Sequence, residues 1–204
     1  MPPRIQAWVL LFAVAACSPA TDVRSPVGTG TPVIVPGGPG SPARTATPGE
    51  RIGSTPEVAA ADVRFAEAMI PHHRQALEMA GLAPERTTTA AIRAVAAQIA
   101  LTQRPEIDAM TSWLTALGRQ APAGHHGGSD AYGMASEDEL NALRTARGTA
   151  FDRMFLDLMI RHHQGAVRMA VEELKAGRDR RMLLMARDVS SGQTVEIARM
   201  RALY

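Results

Sequence analysis

The residues best suited to chemistry are two adjacent histidine pairs, His72-His73 and His162-His163, which stand 90 positions apart. The same residue types surround both pairs. The further matches at this offset include Asp62 with Asp152, Phe65 with Phe155, Met69 with Met159, Ile70 with Ile160, Ala76 with Ala166, Met79 with Met169, and Ala80 with Ala170. An ungapped match of this kind is an internal repeat, and it has to be recognised before the fold is interpreted.

The spacing within each copy predicts a buried helix face. Phe65, Met69, His72, Ala76 and Met79 are separated by alternating steps of four and three residues, which is the stripe of an amphipathic helix. Because a helix turns about 100° per residue, each copy directs two imidazoles, two thioethers and one carboxylate toward one sector.

Imidazole together with thioether favours copper, and Cu(I) in particular, because thioether is a soft ligand. The sequence therefore predicts a site for Cu(I) or Cu(II). Its candidate ligands are His72, His73, His162, His163, Met69, Met79, Met159 and Met169. The alternative is purely structural, since methionine often fills gaps in a core and a buried histidine is often a hydrogen-bonded core residue.

The second helix of each copy carries a matched polar pair, Gln103 with Glu106 and Gln193 with Glu196. These residues are predicted to support the ligands, because carboxylates often accept the ring N–H of a metal-binding histidine. Asp62 and Asp152 are assigned the same supporting role. An ion pair of either glutamate with Arg74, Arg161 or another arginine is the structural alternative.

A third histidine pair, His125-His126, lies among glycines between the two copies, with Met134 a few residues later. This group is either an auxiliary copper site that passes the ion inward or a solvated loop. The sequence leaves both open.

The elements that position these residues are predicted to be helical, because no stretch from 55 to 204 alternates with period two. Each copy is a helical hairpin, so two copies give an all-α four-helix bundle. Repeat one covers 55–117, the linker 118–148 and repeat two 149–204.

Local signals refine the helix boundaries. Thr55-Pro56 predicts the start of the first helix and Gly81 its end. Pro71 predicts a kink at the first histidine pair, and Pro105 a kink or break in the second helix, which spans about 88–117. Ser136 and Glu139 form a capping box that starts a short linker helix. The third helix is expected over about 149–176.

The chain begins with features of a secretory signal, namely Arg4, a short apolar run and small residues before Cys17. Val14-Ala-Ala-Cys17 resembles a bacterial lipobox, and Cys17 is the only cysteine in the chain. Residues 1–17 are therefore predicted to be a lipoprotein signal peptide; an ordinary signal with an incidental cysteine is the alternative. Residues 18–54, rich in Pro, Gly, Ser and Thr, are predicted to be a disordered tether.

The repeated motif resembles the signature of the bacterial domain-of-unknown-function family 305. The resemblance covers about 55–204 and rests on Met69-Ile-Pro-His72-His73, its second copy at Met159, and the paired Gln-x-x-Glu-Ile-x-x-Met helices. It implies a ferritin-like fold, secretion or a periplasmic location, and the copper binding described for some members.

Several functional classes are excluded. A net charge of +2 does not indicate a nucleic-acid partner, and no nucleophile triad or phosphate loop occurs. Neither histidine pair follows a Glu three residues earlier, which counts against a di-iron carboxylate site. Three hypotheses remain: a membrane-tethered extracytoplasmic copper protein for sequestration or delivery, a metal-dependent oxidoreductase, and an interaction domain with structural histidines. The protein partner is unknown.

Overall fold

The computed structural model describes residues 33–35, 42–46, 58–123 and 131–204. The chain divides into two units, residues 1–55 and 56–204. In the first unit, β1 (Val33–Val35) pairs antiparallel with β2 (Arg44–Ala46), and Ile34 lies opposite Thr45. The β-branched side chains of both strands favour this pairing. It lies within residues 18–54, and the disordered tether expected there stays a prediction.

The second unit is helical, which confirms the all-α prediction. It contains α1 (Ala60–Arg86), α2 (Ala90–Ala116), a 3₁₀ turn (Ala131–Gly133), α3 (Glu137–Thr145), α4 (Gly148–Ala176) and α5 (Arg180–Arg201). Within the described ranges, no helix is both long enough and apolar enough to cross a membrane.

The four long helices form two hairpins, and α1 runs antiparallel to α4. Two matched hydrogen-bond sets fix this direction. Asp62, at the start of α1, accepts from the amides of Arg178 and Asp179 after α4, at 2.8 and 3.0 Å. Thr89, after α1, donates to Asp152 at the start of α4, at 2.6 Å. The two repeats are therefore related by an approximate twofold axis.

The boundaries of α1 differ from the sequence expectation. Residues 55–57 lie outside the described part, and the helix begins only at Ala60, where Asp62 accepts the amide of Ala59 at 2.5 Å. The helix also continues through Gly81 and Pro84 to Arg86. A glycine inside a helix costs about 1 kcal/mol, and this cost is outweighed because the last turn buries Ala83 completely.

Pro71 and Pro105 do not interrupt their helices, so the expected break of α2 is wrong. The capping box behaves as the sequence predicts: Ser136 Oγ accepts the amide of Glu139 at 3.2 Å, and the Glu139 carboxylate accepts the amide of Ser136 at 2.8 Å.

The core consists of two apolar clusters, one on each side of the bundle centre. We name them the Phe65 cluster, which includes Met69, Met110, Met169 and Val189, and the Phe155 cluster, which includes Met79, Ile99, Met159 and Met200. All four long helices pass from one cluster to the other. At each crossing the chain carries buried histidine or glutamine instead of an apolar residue.

Candidate metal centre

A layer of polar side chains separates the two apolar clusters. We call it the polar layer. It consists of His72, His73, Gln103, His162, His163 and Gln193, all of them between 0 and 4 % exposed. Each long helix contributes to it, because the repeat places one histidine pair or one glutamine at the same level of each helix.

The outer histidine of each pair is held by a carboxylate. His73 Nε2 lies 2.7 Å from Glu106 Oε2, and His163 Nε2 lies 3.0 Å from Glu196 Oε2. The glutamates are 21 % and 12 % exposed, so they stand between the buried rings and solvent. Of the two arginines named as alternative partners, Arg161 instead pairs with Glu139 and Arg74 donates to the Pro122 carbonyl.

The inner histidines meet at the approximate twofold axis. The ring centroids of His72 and His162 are 3.6 Å apart at an interplanar angle of 33°. Within each pair the centroids are 6.5 Å apart in repeat one and 6.4 Å in repeat two. Burial, assisted by the neighbouring His73, lowers the pKa of His72 to about 3. Burial and then His72 lower the pKa of His162 well below its usual value, so both rings are neutral.

The polar layer leaves many of its own atoms without a hydrogen-bond partner. Five buried ring nitrogens are unpartnered: Nδ1 of His72, His73 and His163, and both nitrogens of His162. Both amide atoms of Gln103 and of Gln193 are also unpartnered. Each such group costs about 1–3 kcal/mol in a protein interior. Packing alone gives no reason to concentrate these groups in one layer.

The methionines of each repeat lie on opposite sides of the polar layer. Met69 and Met159 are one helical turn from the inner histidines, and Met79 and Met169 are two turns away, or about 10 Å of axial rise. Met69 joins Met169 in the Phe65 cluster, whereas Met79 joins Met159 in the Phe155 cluster. Thioethers therefore flank the layer on both faces, with Met69 and Met159 nearest.

The aspartates predicted to support the ligands serve the helix junctions instead. Asp152 accepts from Thr89, and Asp62 accepts three backbone amides. Asp62 lies ten residues before His72, so the two are separated by about 15 Å along the axis of α1. It also contacts Glu173: burial, with the hydrogen bond to Asp62, raises the pKa of Glu173 to about 8. Although burial opposes it, the bonds from Glu173 and the amides lower the pKa of Asp62.

The linker reaches the centre through a segment that sequence reasoning missed. Residues Tyr132–Ala135, which we call the strap, cross α1 and α4 at the inner histidines. The Tyr132 carbonyl accepts from His72 Nε2 at 3.1 Å, and the Tyr132 hydroxyl donates to Glu172 at 2.6 Å. Tyr132 adopts a left-handed backbone with φ 55°, an uncommon state for a residue other than glycine.

The two repeats hold the strap through one pair of matched positions. Gln75 donates to the Ala135 carbonyl at 2.9 Å and accepts its amide at 2.7 Å. The equivalent position of repeat two is Gly165, where an added Cβ would lie 1.4 Å from the Tyr132 carbonyl oxygen. The mismatch of glutamine with glycine at one repeat position was the available sequence signal.

The remaining predicted residues are placed as follows. His125 and His126 lie outside the described residues, as does Cys17. Met134 is half-buried in the strap, and its carbonyl accepts from Arg161 at 3.4 Å.

Two clefts are lined by a residue that contacts a histidine of the layer. A cleft of about 250 Å³ between α2 and α5 is lined by Val95, Gln98 and Glu196. A larger cleft of about 490 Å³ between α1 and α4 is lined by Phe65, Met169, Tyr132 and Glu172 among others. The first reaches the carboxylate that holds His163, and the second reaches the strap.

The donors fit a soft metal ion better than a hard one. Within residues 58–123 and 131–204, no three His, Asp or Glu side chains converge to hold an ion, as a site built only from nitrogen and oxygen would require. Unpartnered imidazole nitrogens with thioethers one turn away are the donors that Cu(I) prefers. The residues therefore fit copper: the rings of His72 and His162 meet at the axis, and Met69 and Met159 are one helical turn from them.

The chain is similar to a known protein family and to several solved structures. The profile of a family described as "Domain of unknown function (DUF305)" matches residues 62–204. A DUF305 fragment from Deinococcus radiodurans is 34 % identical with a TM-score of 0.66, covering 72 % of this chain and 97 % of that one. A DUF305 protein from Streptomyces coelicolor, described as secreted, is 31 % identical with a TM-score of 0.65, covering 70 % and 91 %.

A third solved structure is CopM in its Cu(II)-bound form, which is 34 % identical with a TM-score of 0.63 and covers 70 % of this chain and 95 % of CopM. CopM has also been solved with Cu(I) and with Ag bound. No curated protein matches the chain.

Proposed function

The chain belongs to the DUF305 family, and from this premise we propose that it is an extracytoplasmic protein that binds copper in the polar layer for sequestration or delivery. Copper is the cargo in this proposal. The observation that carries it is the set of five unpartnered, buried ring nitrogens at the bundle centre. Similarity to CopM, which was solved with Cu(II) and Cu(I), supports the choice of metal.

In this proposal, each ion takes nitrogen from at most two of His72, His73, His162 and His163, and the flanking methionines supply sulfur. Thioether donors would favour Cu(I) over harder ions. Glu106 and Glu196 hold the outer rings through Nε2. The chain's own residues thus bind and orient the ion, and no described residue requires a catalytic role.

The location is also part of the proposal. Similarity to a secreted family member supports export, and the lipobox-like Val-Ala-Ala-Cys17 supports an anchor on a bacterial membrane. The copper layer would then act in the periplasm or outside the cell.

The experiment is a competition titration of Cu(I) and Cu(II) with the full chain and three double variants. His72→Ala with His73→Ala, and His162→Ala with His163→Ala, should each lose copper affinity by more than about 100-fold, beyond the usual effect of removing a supporting residue. The matched control is His125→Ala with His126→Ala, which removes the histidine pair of the linker. Equal copper affinity in the parent and both layer variants would refute the proposal.

A second variant separates metal binding from folding. His162→Leu keeps most of the volume and removes two unpartnered nitrogens, so the metal-free protein should be no less stable than the parent. Its copper affinity should nevertheless fall. A marked loss of metal-free stability would instead indicate that this histidine is structural.

A further inference from the structure

We propose that His72, His73 and His163 each use Nδ1, not Nε2, wherever they bind metal in the polar layer, and that Glu106, Glu196 and the strap impose this choice. The inference rests on the proposed function and adds which atom of each ring is the donor. Three outward hydrogen bonds, the unpartnered nitrogens and the agreement between the two repeats carry it.

In three of the four rings, Nε2 is already engaged by an oxygen on the outer side. His72 Nε2 lies 3.1 Å from the Tyr132 carbonyl, which can only accept, so this nitrogen carries the hydrogen. His73 Nε2 and His163 Nε2 lie 2.7 and 3.0 Å from glutamate oxygens. A protonated glutamate donating to the ring would leave an N–H at Nδ1 buried without an acceptor, because Nδ1 has no partner in either ring.

A neutral imidazole has one N–H and one lone pair. With the hydrogen on Nε2, the lone pair is on Nδ1, and Nδ1 is the buried, unpartnered nitrogen of all three rings. The tautomer of a ligand histidine is set by the hydrogen bond that its other nitrogen makes. The layer therefore holds three lone pairs ready for an electrophile before any metal arrives.

In both repeats, a glutamate holds Nε2 of the outer histidine. His73 with Glu106 and His163 with Glu196 occupy matched positions, and the ring separations within the two pairs differ by only 0.1 Å, 6.5 against 6.4 Å. The strap adds a third acceptor on one side only. His162, the counterpart of His72, has no partner at either nitrogen, so its tautomer is free to adapt to the ion.

Glu106 and Glu196 are therefore positioning residues. They act through the rings that they hold, because a carboxylate on the ring N–H fixes ring orientation and raises the basicity of the opposite nitrogen. Removing one of them should lower metal affinity about 10- to 100-fold without removing a ligand.

The test is long-range ¹H–¹⁵N correlation spectroscopy of the full chain labelled at histidine, with Ag(I) as a diamagnetic probe. In the metal-free protein, His72, His73 and His163 should each show a protonated Nε2 and an unprotonated Nδ1. Added Ag(I) should shift the Nδ1 resonances of these rings while their Nε2–H signals persist.

Variants test the carboxylate directly. Glu106→Ala should give His73 alone a mixture of tautomers, and Glu106→Gln should restore the Nε2–H form because the amide oxygen accepts. The matched control is Glu67→Ala, which removes a surface glutamate paired with Arg119 and should change no histidine signal. An unchanged His73 in Glu106→Ala would overturn the positioning role.

The two proposals fail differently. If His73 and His163 carry the hydrogen on Nδ1, or if Ag(I) shifts Nε2, the donor assignment is wrong while metal binding stands. If Ag(I) shifts no histidine nitrogen in a folded protein, both the donor assignment and copper binding in the polar layer are refuted.

Discussion

Gly165→Ala offers the sharpest test of how the linker meets the bundle. Gly165 lies inside α4 against the strap, where an added Cβ would be 1.4 Å from the Tyr132 oxygen, 2.3 Å from its carbonyl carbon and 3.0 Å from its Cα. Ordinary contact begins at 3.4 Å. The strap backbone must therefore retreat by about 2 Å, because backbone cannot rotate away as a flexible side chain can.

The expected loss follows from three effects. Overpacking of a close contact costs about 1–3 kcal/mol. Retreat of Tyr132 breaks its bond with His72, which adds about 1 kcal/mol or more because a buried donor loses its partner. Alanine has a higher helix propensity than glycine, which stabilises the variant by up to about 1 kcal/mol. The net expectation is a destabilisation of about 1–3 kcal/mol.

The assay is urea unfolding followed by circular dichroism, with Gly192→Ala as the matched control. Gly192 lies inside α5, and an added Cβ there meets nothing within 4 Å. The same substitution should therefore stabilise the protein by up to about 1 kcal/mol at that site. The reasoning is refuted if Gly165→Ala raises the unfolding midpoint as Gly192→Ala does, because the strap would then not lie against Gly165.

Three further predictions concern pH, sulfur and the anchor. The pKa of Glu173 is about 8 in the folded protein against an ordinary 4.5. The free energy of unfolding should therefore fall as pH rises from 4.5 to 8, by up to about 1.4 kcal/mol per pH unit. Glu173→Gln stays neutral and should remove this pH dependence in chemical unfolding, and an unchanged dependence of the unfolding free energy on pH would disprove the raised pKa. Met69→Leu with Met159→Leu should weaken Cu(I) binding more than Cu(II) binding in competition titrations. The control Met200→Leu, at a buried methionine in the Phe155 cluster, should leave both affinities unchanged. An equal loss of affinity for both oxidation states would argue against thioether ligands. Cys17→Ser should move the protein out of the membrane fraction after cell fractionation, and retention there would contradict the lipid anchor.

The sequence by itself determined the helical class and the level at which polar residues cross the core. An offset of 90 residues repeated the stripe of Phe65, Met69 and His72, and such a stripe states which face of a helix is buried. Hydrogen bonds between residues close in sequence could also be predicted. The capping box at Ser136 is an example, because both of its bonds join residues three apart.

Only the tertiary structure decided which partners meet across elements. Asp62 sits on the same stripe as His72, yet antiparallel packing of α1 and α4 delivers it to the loop at Arg178. The spacing of apolar residues predicts which face of a helix is buried. It does not predict whether the neighbouring helix runs parallel or antiparallel, or which of its residues lie opposite. Gly81 likewise signals a helix end locally, and burial of Ala83 overrides it.

The strap shows the same limit most clearly. The glutamine at 75 and the glycine at 165 are readable as a mismatch within the repeat, but their meaning depends on a third segment that passes between them. One position supplies hydrogen bonds to Ala135, and the other supplies space for Tyr132. Contacts among segments far apart in sequence depend on how the helices pack, so the acceptor for His72 became visible only in the folded bundle.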